Sequence, residues 1–120
     1  MPLERIPGPA GASFSAAVTA HGPGRFIHVS GQLAPGADLA EQTGGCFDRI
    51  EAILADAGAS LRDLVSIRAY LTSLDDYADY ARVRRERCGD ALPASAAVQV
   101  AGLLEGGLVE LEAVAFVAAG

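Results

Sequence analysis

The chain has 120 residues, 51% hydrophobic and 20% charged, with a formal net charge of −6. That length supports one domain, residues 1–120, which buries about two-thirds of its unfolded surface, and the composition excludes a disordered chain. Lysine is absent, which excludes Schiff-base chemistry and a P-loop, and the negative balance argues against a nucleic-acid partner held through phosphates.

Met1–Pro9 has prolines and mixed charge without the apolar core of a signal peptide, and Pro7–Gly11 reads as an irregular lead-in. No apolar run approaches about 18 residues, so no membrane partner is expected and the expected location is the cytoplasm. Phe14–Ala20 and Arg25–Ser30 read as strands joined by the His21–Gly24 turn into a hairpin. Asp38 with Glu41 has the form of a helix start, and Cys46, Phe47, Ile50, Ile53, Leu54 and Ala57 share one helical face before Gly58 stops it. Gly44-Gly45 inside that helix predicts close approach of another backbone. Leu64–Thr72 is a strand. Ser73 with Asp76 opens a second helix to about Cys88, whose Arg82, Arg84, Arg85 and Arg87 read as a solvated end. Ala94–Val100 and Leu108–Val117 complete the set.

The predicted order is β-β-α-β-α-β-β: an α+β domain with both helices on one face of a mixed sheet. Cys46 and Cys88 are far apart and read as small buried hydrophobes, and no spacing suggests a metal site or a cofactor.

Strand alternation divides the sheet. One face takes Ile27, Val29, Val65, Ile67, Ala69, Leu71, Ala96, Val98, Val100, Val109, Leu111, Ala113 and Ala115, and is expected to lie under the helices. The other takes His28, Ser30, Ser66, Arg68, Tyr70, Thr72, Ser95, Ala97, Gln99, Glu110, Glu112, Val114 and Phe116. That mixture of charge and aromatic surface fits an oligomer interface with a polar centre.

Val29-Ser30-Gly31-Gln32, Ala57-Gly58, Ala69-Tyr70-Leu71-Thr72 before Leu74-Asp75-Asp76-Tyr77, Pro93-Ala94 and Val109-Glu110-Leu111-Glu112-Ala113 together resemble the RidA/YjgF family, from about Phe14 to Phe116. The resemblance implies a chorismate-mutase-like fold and a homotrimer with a barrel-like core and clefts between subunits. It also implies hydrolysis of small enamines and imines, with an arginine after Pro-Ala gripping the substrate carboxylate. By resemblance the catalytic residue is Glu110, and Phe14, Ser30, Gly31, Ser95 and Ala97 bind substrate. Phe14 replaces the family's tyrosine, and Ser95 stands where the family has its arginine. His28, Arg68, Gln99 and Glu112 are further candidates from the alternation. Arg68 has two readings, neutralising Glu112 or Glu110, or replacing the missing arginine.

The function expected is proton transfer on an imine, enamine or enol intermediate of one pathway, by hydrolysis, tautomerisation or cyclisation, rather than standard 2-aminoacrylate deamination. The alternative is a non-catalytic trimer that binds a small ligand or a partner protein, with a vestigial cleft. A ribonuclease fits the charge least well.

Overall fold

The computed structural model describes residues 2–120. Strands β1 (Leu3–Pro7), β2 (Ser15–Ala20) and β3 (Gly24–Gln32) precede helix α1 (Leu39–Asp56). Strand β4 (Leu64–Leu71), helix α2 (Tyr77–Cys88), β5 (Ala94–Gln99) and β6 (Val109–Ala118) follow. The sheet order is β1-β2-β5-β4-β6-β3, with β4 and β5 parallel and β6 antiparallel to both β4 and β3. It is therefore a mixed sheet, and it carries one strand, β1, that its flanking prolines hide; proline is tolerated on such an edge strand.

The expected β2–β3 hairpin does not form. β2 pairs with β1, and only its first residue, Ser15, pairs with β5, opposite Ala94. β3 runs along β6 instead, from Gly24 opposite Ala118 to Gln32 opposite Leu111. The turn at His21–Gly24 favoured local pairing, but a long apolar partner strand outweighs it. Arg5 ties the β1–β2 ribbon to the end of the sheet, donating to the carbonyls of Leu64, Leu92 and Arg62.

Helix α1 starts as its sequence requires. The Asp38 carboxylate accepts from Glu41 N, and the Glu41 carboxylate accepts from Ala37 N. Its buried face, Cys46, Phe47, Ile50 and Leu54, meets Ile67, Ala69, Leu71, Leu111, Ala113 and Ala115 in the main core. Gly45 is explained by close approach of a side chain rather than of a backbone, since a Cβ there would lie 2.7 Å from the Ala34 Cβ, and Gly44 faces open space. Both cysteines are buried, and burial raises each thiol to about 11.

Helix α2 begins at Tyr77, four residues after Ser73, whose hydroxyl instead accepts from Asp75 N in the preceding turn. Its arginines are not a solvated end. Arg82 alone is simply exposed, pairing with Asp79 and Glu86. Arg85 donates to Gly11 O and Ala12 O, and Arg87 reaches Asp48, Glu51 and Gly44 O on α1. Arg84 is buried.

Candidate functional site

A bulge shapes the first part of the site. Between β3 and β6, Val29 faces Ala113 and Gln32 faces Leu111, so β3 uses three steps where β6 uses two. The extra residue lies in Ser30-Gly31. Helix α1 holds the end of the strand: Cys46 Sγ lies 3.2 Å from Gln32 O, and Arg49 donates to Leu33 O at 2.5 Å. Gln32 Nε2 donates to Ser30 O, leaving the exposed Ser30 hydroxyl beside Gly31.

Glu110 rests against Gly31. A Cβ on Gly31 would overlap the Glu110 carboxylate, with Cδ only 2.9 Å away, so no side chain fits there without moving Glu110. Glu110, Glu112, Tyr70 and Gly31 line a shallow cavity of about 350 Å³ with Val100, Gly102 and Leu103. The Tyr70 hydroxyl donates to Glu112, and this bond is the main reason the Tyr70 phenol is raised above its ordinary value. Among the described residues Glu110 joins no ion pair. Its carboxylate is a free acceptor on a fixed backbone.

Arg68 lies opposite Glu112 in the β4–β6 register, yet it forms no ion pair among the described residues. Glu112 takes its hydrogen bond from Tyr70 instead. Arg68, His28, Ser66, Glu112 and Val114 line a separate small cavity of about 100 Å³ on the same open face.

Strand β5 corrects the predicted faces. It pairs in parallel with β4, setting Ser95 beside Ile67, Ala97 beside Ala69 and Gln99 beside Leu71. Ser95, Ala97 and Gln99 thus face the helices, and Ala96 and Val98 face outward. The sequence Ala-Ser-Ala-Ala-Val-Gln offers little contrast between its faces, so its phase rests on non-local register. Gln99 therefore leaves the Glu110 group, and its Oε1 accepts from Leu74 N.

The face under the helices holds a residue the sequence reading missed. Arg84 is 1% exposed. Its Nε and Nη2 donate to Ser13 Oγ at 3.1 and 2.7 Å. Nη1 donates to Ser95 Oγ at 2.8 Å and to Tyr80 at 3.4 Å, and Nη2 donates to Tyr77 at 3.1 Å. The Phe14 and Tyr80 rings lie 5.5 and 4.9 Å from its Cζ. Burial raises the Tyr80 phenol, with Arg84 pulling it back. Tyr77, Tyr80, Arg84 and Cys88 recur at helical spacing, and that stripe was the signal available.

The predicted residues therefore form two groups. Phe14 and Ser95 gather around Arg84 under the helices, with Ala97 on the same side of the sheet beside Ala69. Ser30, Gly31 and Glu110 gather on the open face, beside Tyr70 at the far end of β4. Ile67 to Tyr70 is about 10 Å along the strand, and the two groups face opposite sides of the sheet. Among the described residues no three histidine, cysteine, aspartate or glutamate side chains cluster as metal ligands do, and no helix is long and apolar enough to cross a membrane.

A mixed sheet under two helices, with a glutamate seated on a bulged Ser-Gly, defines a class of small α+β domains, and comparison with known proteins places the chain within it. Residues 6–117 match the family model described as Endoribonuclease L-PSP. A RutC family protein of Pyrococcus abyssi is 38% identical over 121 aligned residues, covering 94% of this chain and 92% of the relative. The 2-iminobutanoate/2-iminopropanoate deaminase of Bos taurus is 37% identical over 87 residues, covering 72% and 63%. The crystal structure of RidA from an Antarctic Psychrobacter superposes with a TM-score of 0.75 at 32% identity, covering 98% and 99%. The chain belongs to the RidA/YjgF family.

Proposed function

We propose that the protein is a RidA-like small-molecule enzyme acting on an imine, enamine or enol through proton transfer at Glu110, in a cleft built by two subunits of a homotrimer. The observation that carries this reading is the Glu110 carboxylate, unpaired among the described residues and positioned against Gly31 at the mouth of a cavity. A carboxylate so placed takes a proton from an attacking water and returns one to the leaving nitrogen. For an imine, water adds across C=N, the proton moves to nitrogen, and C–N cleavage releases ammonia and leaves a carbonyl. Ser30 Oγ and the Gly31 N–H would hold a polar atom of the substrate.

The division into two groups supports the inter-subunit cleft. One sheet cannot bring Glu110 and Ser95 to one substrate, but a neighbouring copy placing its Phe14–Ser95 group against the Gly31–Glu110 group can. Exposed Phe26 and Val98, both large apolar side chains on the open face, are surface that such an assembly would cover. Because Ser95 replaces the family's arginine, 2-aminoacrylate is expected to turn over more slowly than in an arginine-bearing relative, and a pathway-specific intermediate is the expected substrate. A cytoplasmic location fits this chemistry.

The test is a hydrolysis assay on enzymatically generated imines, with light scattering for the assembly. Glu110→Gln should retain the trimer and lower turnover by about 10²–10⁴-fold. A monomer in solution, or unchanged turnover, would refute this reading. Ligand binding that survives, without turnover even in the wild type, would identify a binding protein instead.

A further inference from the structure

A second cavity, of about 450 Å³, shares no lining residue with the Glu110 cavity. It lies between the segment after β3, residues 33–36, and the loop that leads into β6, residues 104–107. Gln42 of α1, 8% exposed, ties these two sides together. Its Nε2 donates to Gly36 O at 3.1 Å, and its Oε1 accepts from Leu108 N at 2.8 Å. Glycines let the parts approach: a Cβ on Gly107 would lie 2.8 Å from Leu33 Cδ2, and one on Gly36 would lie 2.9 Å from Gln42 N. The cavity is therefore preformed, as small-molecule sites usually are.

Each side brings one charge. Arg49 is anchored to the first by donating Nη1 to Leu33 O at 2.5 Å. Glu105 is held on the second by a left-handed backbone with φ 59°, the only such conformation at a non-glycine among the described residues. A side chain makes that conformation costly, and such outliers gather at functional sites. Neither charge has an ion-pair partner among the described residues, and the two do not pair with each other. By contrast Arg62 and Asp90, which also line one depression, meet at 2.9 Å. Leu33, Pro35 and Leu104, the last 76% exposed, give the same cavity apolar surface. We propose that this cavity binds a free α-amino acid with an apolar side chain, its carboxylate on Arg49 and its ammonium on Glu105. A zwitterion compensates both fixed charges, whereas a lone anion or cation leaves one of them unmet. Arg49 spends one nitrogen on Leu33 O and keeps the others for a carboxylate. The site is independent of the chemistry proposed for Glu110.

The probe is L-leucine, titrated into the intact protein and followed by calorimetry and amide NMR. The controls are 4-methylpentanoate, which lacks the ammonium, and 3-methylbutylamine, which lacks the carboxylate. Leucine should bind saturably, at least about tenfold more tightly than either control, as expected for a contact to a charged group. Amide shifts should centre on residues 33–36 and 104–108. Glu105→Gln should weaken leucine by about tenfold and leave 4-methylpentanoate unchanged, and Arg49→Gln should weaken leucine and leave 3-methylbutylamine unchanged. Should Arg49→Gln fail to fold, Glu105→Gln and the wild-type ranking of the three ligands decide the question. The assignment is overturned by no saturable binding of leucine, by a control that binds as tightly, or by leucine affinity that survives Glu105→Gln. Glu110→Gln should bind leucine as the wild type does; lost binding there would put the ligand in the Glu110 cavity and overturn the assignment. Failure of leucine binding leaves the turnover reading intact, and loss of the turnover reading leaves this site intact.

Discussion

On the open face of the sheet, Glu110 holds a carboxylate at the surface, fixed from below by the backbone of a bulge. Under the helices, Arg84 holds a guanidinium 1% exposed within a shell of hydroxyls. The acidic group is positioned by sterics, because Gly31 leaves one place for it. The basic group is positioned by hydrogen bonds, with all three guanidinium nitrogens donating. A residue held by space is sensitive to one added methyl. A residue held by hydrogen bonds is sensitive to one lost acceptor.

The largest effect expected from this contrast follows Gly31→Ala. The new Cβ meets the flexible end of Glu110, so the fold should persist while the carboxylate is displaced. Misplacing a catalytic group by about 1 Å costs about 10²-fold in rate. Turnover should fall by that order with an unchanged circular dichroism spectrum and melting temperature. Activity within a few-fold of wild type would show that Glu110 does not work from its position on Gly31.

The same contrast explains what the sequence revealed. The Glu110 group was legible because β4 and β6 alternate cleanly, with apolar Ile67, Ala69, Leu71, Leu111 and Ala113 on one side and charge on the other. The β1–β2 pairing and the phase of β5 were not, because both depend on partners distant in the chain and β5 is alanine on both faces. Arg84 was hidden by its neighbours. Among Arg82, Arg85, Glu86 and Arg87 it reads as one more surface charge, and only its place on the Tyr77–Tyr80–Cys88 stripe sets it apart.

A smaller effect is expected on the basic side. Ser13 Oγ accepts from both Nε and Nη2 of Arg84, and Ser13 is itself buried. Ser13→Ala leaves Nε without an acceptor and Nη2 with Tyr77 alone, and should cost about 1–3 kcal/mol in urea unfolding. Replacing the cation itself should cost less, because a well-packed apolar side chain in place of a buried ion is often neutral or stabilising. If Arg84→Met proves more destabilising than Ser13→Ala, the guanidinium is there for stability, and the contrast between the two groups weakens.

The smallest effect is a pH dependence on the acidic side. The bond to Glu112, followed by desolvation and the negative charge of Glu112, raises the Tyr70 phenol above its ordinary value of 10.0. Tyr70 therefore holds its proton more tightly folded than unfolded. By linkage, the stabilisation is fully present below the unfolded pKa and is lost as pH rises through the higher folded one. The wild type should lose stability between about pH 10 and the raised folded pKa more steeply than Tyr70→Phe, which has no proton to release there. Tyr80, also raised, contributes equally to both proteins, so the difference between their unfolding curves isolates Tyr70. Parallel alkaline slopes would mean that Glu112 takes a partner other than Tyr70 in solution. Arg68, opposite Glu112 in the register, is the nearest candidate, and Arg68→Gln would then restore the difference.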